Sequence, residues 1–167
     1  MSRGFVKEGD QEEVPMVPQR AYLPEGVPNF VTPAGLEQLL AEKEAMIAEK
    51  EELSITNENE KRIALNFINA KLQLLNNRIA DARVVDPKDQ PGEEITFGAI
   101  ITLKMIATGK IQAFQIVGVD EADISRGKIS FISPLARALL NKKTGQRVTL
   151  RREKEEIFYD IVEISYL

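Results

Sequence analysis

The sequence predicts an α+β protein in which an antiparallel α-helical hairpin, a coiled coil, precedes a twisted antiparallel β domain with one short helix. Three observations predict it. Apolar residues recur at helical spacing, Leu39, Met46 and Leu53 by sevens and then Ile68, Leu72, Leu75 and Ile79. The breaker segment Asp86-Pro87-Lys88-Asp89-Gln90-Pro91-Gly92 ends that pattern. Beyond it the chain alternates in the manner of strands and is rich in β-branched residues.

Residues 1–30 carry Pro15, Pro18, Pro24 and Pro28, an acidic patch at Glu8, Asp10, Glu12 and Glu13, and no periodic pattern. They read as an extended arm, either an unordered tail or a segment that packs along the hairpin or contacts a partner. The hairpin occupies residues 31–86. Thr32 before Pro33 is the N-cap and first-turn signature of a helix. Its apolar residues are Leu36, Leu39, Leu40, Met46, Ile47 and Leu53. Ser54-Ile55-Thr56-Asn57 makes the turn, and the second helix runs on to Ala82. One apolar stripe on an otherwise charged helix suits a hairpin that projects into solvent. A pair packed on the sheet, or on a second copy of itself, is the alternative.

Glu49, Glu51, Glu52, Glu58 and Glu60 gather near the turn against only Lys50, Lys61 and Arg62, so the tip is acidic. Acidic residues at a helix start are also ordinary complements to the helix dipole.

The β domain occupies residues 92–167. Strands are expected at Ile95–Leu103, Gln112–Val119, Lys128–Ile132, Gln146–Arg151 and Glu156–Ile164, with turns at Thr108-Gly109 and Gly145. Ser133-Pro134 opens a short helix that ends near Asn141.

The 167-residue chain has 43% apolar residues, enough for a core. It contains no cysteine and no histidine, which excludes disulfides, thiolate nucleophiles, Cys/His zinc sites and imidazole catalysis. A net charge of -4 argues against general affinity for phosphates, so any link to nucleic acid is expected to run through another protein. The charged start, Met1-Ser2-Arg3-Gly4-Phe5-Val6-Lys7-Glu8, is unlike a signal peptide, and no run is long enough to span a bilayer. A cytoplasmic location and no membrane partner are expected.

Two motifs resemble catalytic ones. Asp120-Glu121-Ala122-Asp123 spells the metal-binding box of a helicase class, but Gly109-Lys110 is followed by Ile111 and lacks the preceding glycine of a phosphate-binding loop. Serines are present without histidine or a suitably spaced basic partner, which disfavours a serine hydrolase.

The second domain carries consecutive blocks, Phe97-Gly98-Ala99-Ile100-Ile101-Thr102-Leu103, Ile116-Val117-Gly118-Val119-Asp120-Glu121-Ala122-Asp123, and Lys128 to Leu140 containing Ile129-Ser130 and Ser133-Pro134. In order and spacing these resemble the C-terminal domain of the GreA/GreB transcription elongation factors. Thr32-Pro33-Ala34-Gly35-Leu36 resembles the start of that family's hairpin, and Ala82 to Asp86 its end. The resemblance implies an FKBP-like fold for the second domain and a bacterial RNA polymerase as partner. It also implies that the hairpin enters the polymerase's secondary channel, where tip carboxylates share a catalytic Mg2+ with the polymerase and stimulate its cleavage of backtracked RNA. The factor would then be an accessory protein with no enzymatic activity, cofactor or stably bound metal of its own, and a monomer.

On that resemblance the tip candidates are Glu52, Glu58 and Glu60. The candidates for docking on polymerase are the loop residues Gly118, Asp120, Glu121 and Asp123 with Ser133 and Pro134, expected to be exposed; Ser133 reads equally as an N-cap and Gly118 as a turn or packing residue. At the tip this chain reads Ser54-Ile55-Thr56-Asn57-Glu58-Asn59-Glu60-Lys61. The family pattern has an Asp three residues before the Glu-Asn pair and a Tyr after it. The hairpin also counts shorter than the family's by about two turns per helix, on the order of 12 Å of reach. Two alternatives to cleavage follow: a regulator that occupies the channel without cleaving, and a coiled-coil dimer that buries Leu39, Met46, Ile68 and Leu75 between chains.

Overall fold

Thr32 starts the hairpin as its residue type predicts. Its side chain accepts a hydrogen bond from the Gly35 amide, and helix α1 runs Pro33–Glu51 with proline in the first turn. The computed structural model describes residues 15–90 and 92–166; the acidic patch of the arm lies outside them. Helix α2, Glu58–Asp81, is capped by Asn57, whose side chain accepts from the amides of Asn59 and Glu60. Glu58 and Glu60 in its first turn and Arg78 in its last complement the helix dipole. At 19 and 24 residues the helices are about 28 and 36 Å long.

The apolar stripe closes within one chain. Leu39, Ile68 and Leu75 are each at most 3% exposed, and Leu36, Met46, Ile79 and Ala82 pack against a cluster of Val31, Leu39 and Leu75. That cluster is separate from the core of the sheet, so the helices pack on each other rather than on the β domain. A dimer that needs the same stripe would have to open this hairpin. Leu40 and Ile47, beside the stripe, stay more exposed.

Two short strands at the base of the hairpin were not foreseen. Strand β1 (Asn29–Val31) pairs in parallel with β2 (Ala82–Val84), joining the end of the arm to the end of α2. Three residues are too few for alternation to register in sequence.

The β domain is a five-stranded sheet of β3 (Ile100–Met105), β4 (Ile111–Val117), β5 (Lys128–Ser130), β6 (Arg147–Arg152) and β7 (Glu155–Ser165), in the order β5-β4-β3-β7-β6. The sheet is mostly antiparallel, and the expectation of a wholly antiparallel one is corrected at its edge. There β5 pairs in parallel with the last three residues of β4, because residues 118–127 loop back and bring Lys128 beside Gln115 before β5 begins. The first strand also begins later than expected. Gly98 adopts φ +91° with the Pro87 ring against it, which turns the backbone, although Ile95, Phe97 and Ala99 are still buried in the core. Between β3 and β7 the register shifts at Thr102/Leu103, a bulge that leaves Val162 without an opposite residue.

Helix α3 (Pro134–Leu139), capped by Ser133, turns Ala136 and Leu139 into the core and stops before Asn141, which takes the left-handed conformation. Ile101, Leu103, Ile116, Ile129, Val148, Leu150, Tyr159 and Ile161 complete that core. Among the described residues no helix is long and apolar enough to cross a membrane.

Candidate functional site

The turn between α1 and α2 puts its carboxylates at the far end of the hairpin. Glu52 caps the C-terminus of α1, while Glu58 and Glu60 lie in the first turn of α2; all three are exposed. Two positions apart on a helix, Glu58 and Glu60 leave it on nearly opposite sides and do not converge on one point. Asn59 is occupied otherwise, accepting from Arg62 at 2.9 Å. Among the described residues no three carboxylates gather into a metal-binding group. The tip carboxylates thus stand singly rather than as a preformed site.

The docking candidates separate into two groups. Asp123 and Pro134 are exposed, and Ser133 is half-buried as the cap of α3, accepting from the Ala136 amide at 3.3 Å. Asp123 accepts from both the amide and the hydroxyl of Ser125, at 3.1 and 2.6 Å. The Ser125 hydroxyl, ahead of the nearby charges of Arg126 and Lys128, holds the Asp123 carboxyl below the usual carboxylate range. Beside them Ile124 is 81% exposed, and a groove runs past it between Ala122, Ile132 and Ser133 to Ala21 and Tyr22 of the arm. Ile124 and Tyr22 escaped sequence reasoning. The only signal is an apolar side chain placed inside a polar turn.

Gly118, Asp120 and Glu121 are not the exposed residues expected of them. They face inward and join the β domain to the hairpin. A side chain on Gly118 would place its Cβ 2.5 Å from the Phe30 carbonyl oxygen, so only glycine permits β1 to pass this close. Glu121 is 7% exposed; it accepts from the Thr32 hydroxyl at 2.5 Å and pairs with Lys128 at 3.3 Å. Gly35 faces the same carboxylate, and a Cβ there would lie 2.7 Å from Glu121 Oε1. Asp120, with 8% of its side chain exposed, meets Arg20 of the arm at 3.1 Å and Arg78 of α2 at 3.5 Å. Phe30 then packs with Phe97 and Phe131, ring centroids 5.6 to 5.9 Å apart, so the junction has an aromatic centre as well as a polar rim. Asp120-Glu121-Ala122-Asp123 is thus a junction motif, its first two residues turned to the hairpin and arm and its last to solvent.

Comparison with known proteins bears on this arrangement of tip, junction and exposed face. The family described as "Transcription elongation factor, GreA/GreB, C-term" matches residues 90–166. The transcription elongation factor GreA of Francisella tularensis subsp. novicida is 33% identical over 152 residues, covering 81% of this chain and 95% of that protein. The GreA of Thermodesulfovibrio yellowstonii is 37% identical over 101 residues, 60% of this chain and 64% of the relative's length. Among solved structures, a GreA/GreB factor of Nitrosomonas europaea is 21% identical with a TM-score of 0.42, covering 82% of this chain and 98% of that one. The GreA factor homolog 1 of Thermus thermophilus is 23% identical with a TM-score of 0.40, covering 81% and 97%. On the match of the whole β domain and an identity of 33% across nearly the full length of a GreA, this chain belongs to the GreA/GreB family of transcription elongation factors.

Proposed function

We propose that this chain binds bacterial RNA polymerase, places its hairpin in the secondary channel and lends tip carboxylates to the polymerase's cleavage of backtracked RNA. The observation that carries this reading is the geometry of the hairpin. Its exposed carboxylates, Glu52, Glu58 and Glu60, lie at the end of a two-helix rod whose base is fixed to the β domain by Glu121, Gly118 and Phe30. A rod of this kind delivers charge to a place the body cannot enter.

The docking face in this reading is the exposed side of the β domain around Asp123, Ile124, Ser133 and Pro134, with Tyr22 of the arm at its edge. Gly118, Asp120 and Glu121 contribute by orienting the hairpin. At the tip, Glu58 offers a carboxylate oxygen on one side of α2, and Glu52 or Glu60 supplies a second only as the docked geometry allows. A magnesium ion held mainly by the polymerase supplies the Lewis acid and activated water for phosphodiester hydrolysis. The chain itself is an accessory factor that holds no metal of its own and acts as a monomer.

A second reading, a channel-occupying regulator without cleavage, is favoured by one observation: Glu58 and Glu60 point apart on α2. Both readings are tested on a backtracked elongation complex with end-labelled RNA. Shortening of the RNA on addition of the protein supports the first. Binding without shortening supports the second, and absence of binding overturns both.

A further inference from the structure

The arm crosses the junction and meets both domains there. Pro18, Pro24 and Pro28 restrict its backbone, which lowers the entropy cost of laying it along the protein. Arg20 sends two nitrogens to the two carboxylate oxygens of Glu42 on α1, both at 2.9 Å, and its third to Asp120 of the β domain at 3.1 Å. Arg78 on α2 donates to the carbonyl of Ala21 and faces the other oxygen of Asp120 at 3.5 Å, near as a charge but not aligned as a hydrogen bond. Arm, α1, α2 and β domain therefore meet in a single cluster of two arginines and two carboxylates. Only Glu42 is substantially exposed, and the hydrogen bond with Glu42 is the main cause that raises the Arg20 guanidinium's affinity for its proton.

We propose that the arm is a clasp and that Arg20 is a positioning residue: by bridging Glu42 to Asp120 it fixes the tilt of the hairpin on the β domain and so sets where the tip points. The leverage is large. With α2 about 36 Å long, a tilt of 10° at the base moves the tip by about 6 Å, while metal ligation tolerates tenths of an ångström. Glu121 and the Phe30 cluster grip the hairpin near its root, whereas Glu42 lies nearly three turns along α1 from Thr32, where a tie resists rotation better. The consequence for cleavage rests on the function proposed above, but the tilt belongs to the free protein.

The chain has no cysteine, so Thr56→Cys at the tip and Thr149→Cys on the exposed face of β6 give two unique sites for spin labels. Pulsed dipolar spectroscopy on the full chain then reads the distance between tip and body. A single narrow distribution is expected for the parent. Arg20→Ala is expected to broaden it or shift its mean by several ångströms, Arg20→Lys to do so less, and Glu42→Ala, on the solvent side of the cluster, to reproduce Arg20→Ala. In the RNA assay the same variants are expected to lower the cleavage rate at saturating protein several-fold while leaving affinity for the complex unchanged. Superimposable distributions for the parent, Arg20→Ala and Glu42→Ala overturn the clasp. Should Arg20→Ala fail to fold, an unchanged distribution in Glu42→Ala overturns it equally. If the parent gives no RNA cleavage but the variants broaden the distribution, the clasp stands and the cleavage reading falls.

Discussion

The Thr32 hydroxyl lies 2.5 Å from Glu121 Oε1, so the residue that caps the first hairpin helix also binds a buried carboxylate of the β domain. The Thr32 hydroxyl oxygen also accepts from the Gly35 amide at 2.9 Å, and one side chain thus starts the helix and anchors it. Thr32→Val keeps the shape and removes both bonds. It is expected to destabilise the protein by about 1–3 kcal/mol in denaturant unfolding. Thr32→Ser retains both bonds and is expected to remain close to the parent; equal losses for the two variants would show that the hydroxyl is not the source.

Gly118 sets how closely the two domains approach. Because its Cβ would meet backbone rather than a movable side chain, Gly118→Ala must push β1 away from the loop. A loss of about 1–3 kcal/mol is expected. Gly109→Ala, at a turn with open space around it but φ +72°, bears only the strain of its backbone and does not disturb the junction. Amide hydrogen exchange distinguishes them: faster exchange at Val31 and Val85 is expected in Gly118→Ala alone.

Much of this architecture was legible in the chain itself. Thr32-Pro33, the seven-residue spacing of Leu39 and Met46 and the breaker at Pro87 mark elements whose cause is local, and they fall where expected. The parallel edge pair of β4 and β5 was not legible, because a three-residue strand carries no sign of its partner. Nor was the inward turn of Gly118, Asp120 and Glu121. Polar and small residues in a loop look like surface, and only the arrival of Phe30, Thr32 and Arg20 from the other end of the chain buries them. The clasp was hidden for the same reason, since Arg20 and Asp120 are a hundred residues apart. The tip was the reverse case: its acidic residues were plain in sequence, but their divergence on α2 required the helix to be placed.

Asp123 gives a pH-dependent prediction. Its pKa is depressed, chiefly by the hydrogen bond from Ser125, so the turn's contribution to stability is present above the unfolded carboxylate value and is lost as pH falls through the depressed folded value. Ser125→Ala is expected to bring the Asp123 pKa back up toward the ordinary value in a carboxyl carbon NMR titration. An unchanged titration would assign the depression to the Ser125 amide and the charges of Arg126 and Lys128 instead.

Ile124 and Tyr22 are exposed at the edges of the groove on the proposed docking face, at 81% and 76%. Ile124→Asp is expected to weaken polymerase binding about tenfold, near 1.4 kcal/mol, with no loss of thermal stability, because the side chain makes no contribution to the core. Tyr22→Ala is expected to have a smaller effect in the same direction. Binding equal to the parent in both would move the docking face elsewhere.

The most direct test of the central claim is the magnesium dependence of RNA cleavage in a backtracked complex, compared for polymerase alone, polymerase with this protein, and polymerase with its Glu52→Ala/Glu58→Ala/Glu60→Ala variant. If tip carboxylates lend ligands to the ion, the parent protein lowers the magnesium concentration for half-maximal cleavage and speeds cleavage, while the variant still binds yet leaves both values as for polymerase alone. Parent and variant giving the same magnesium dependence would contradict the account.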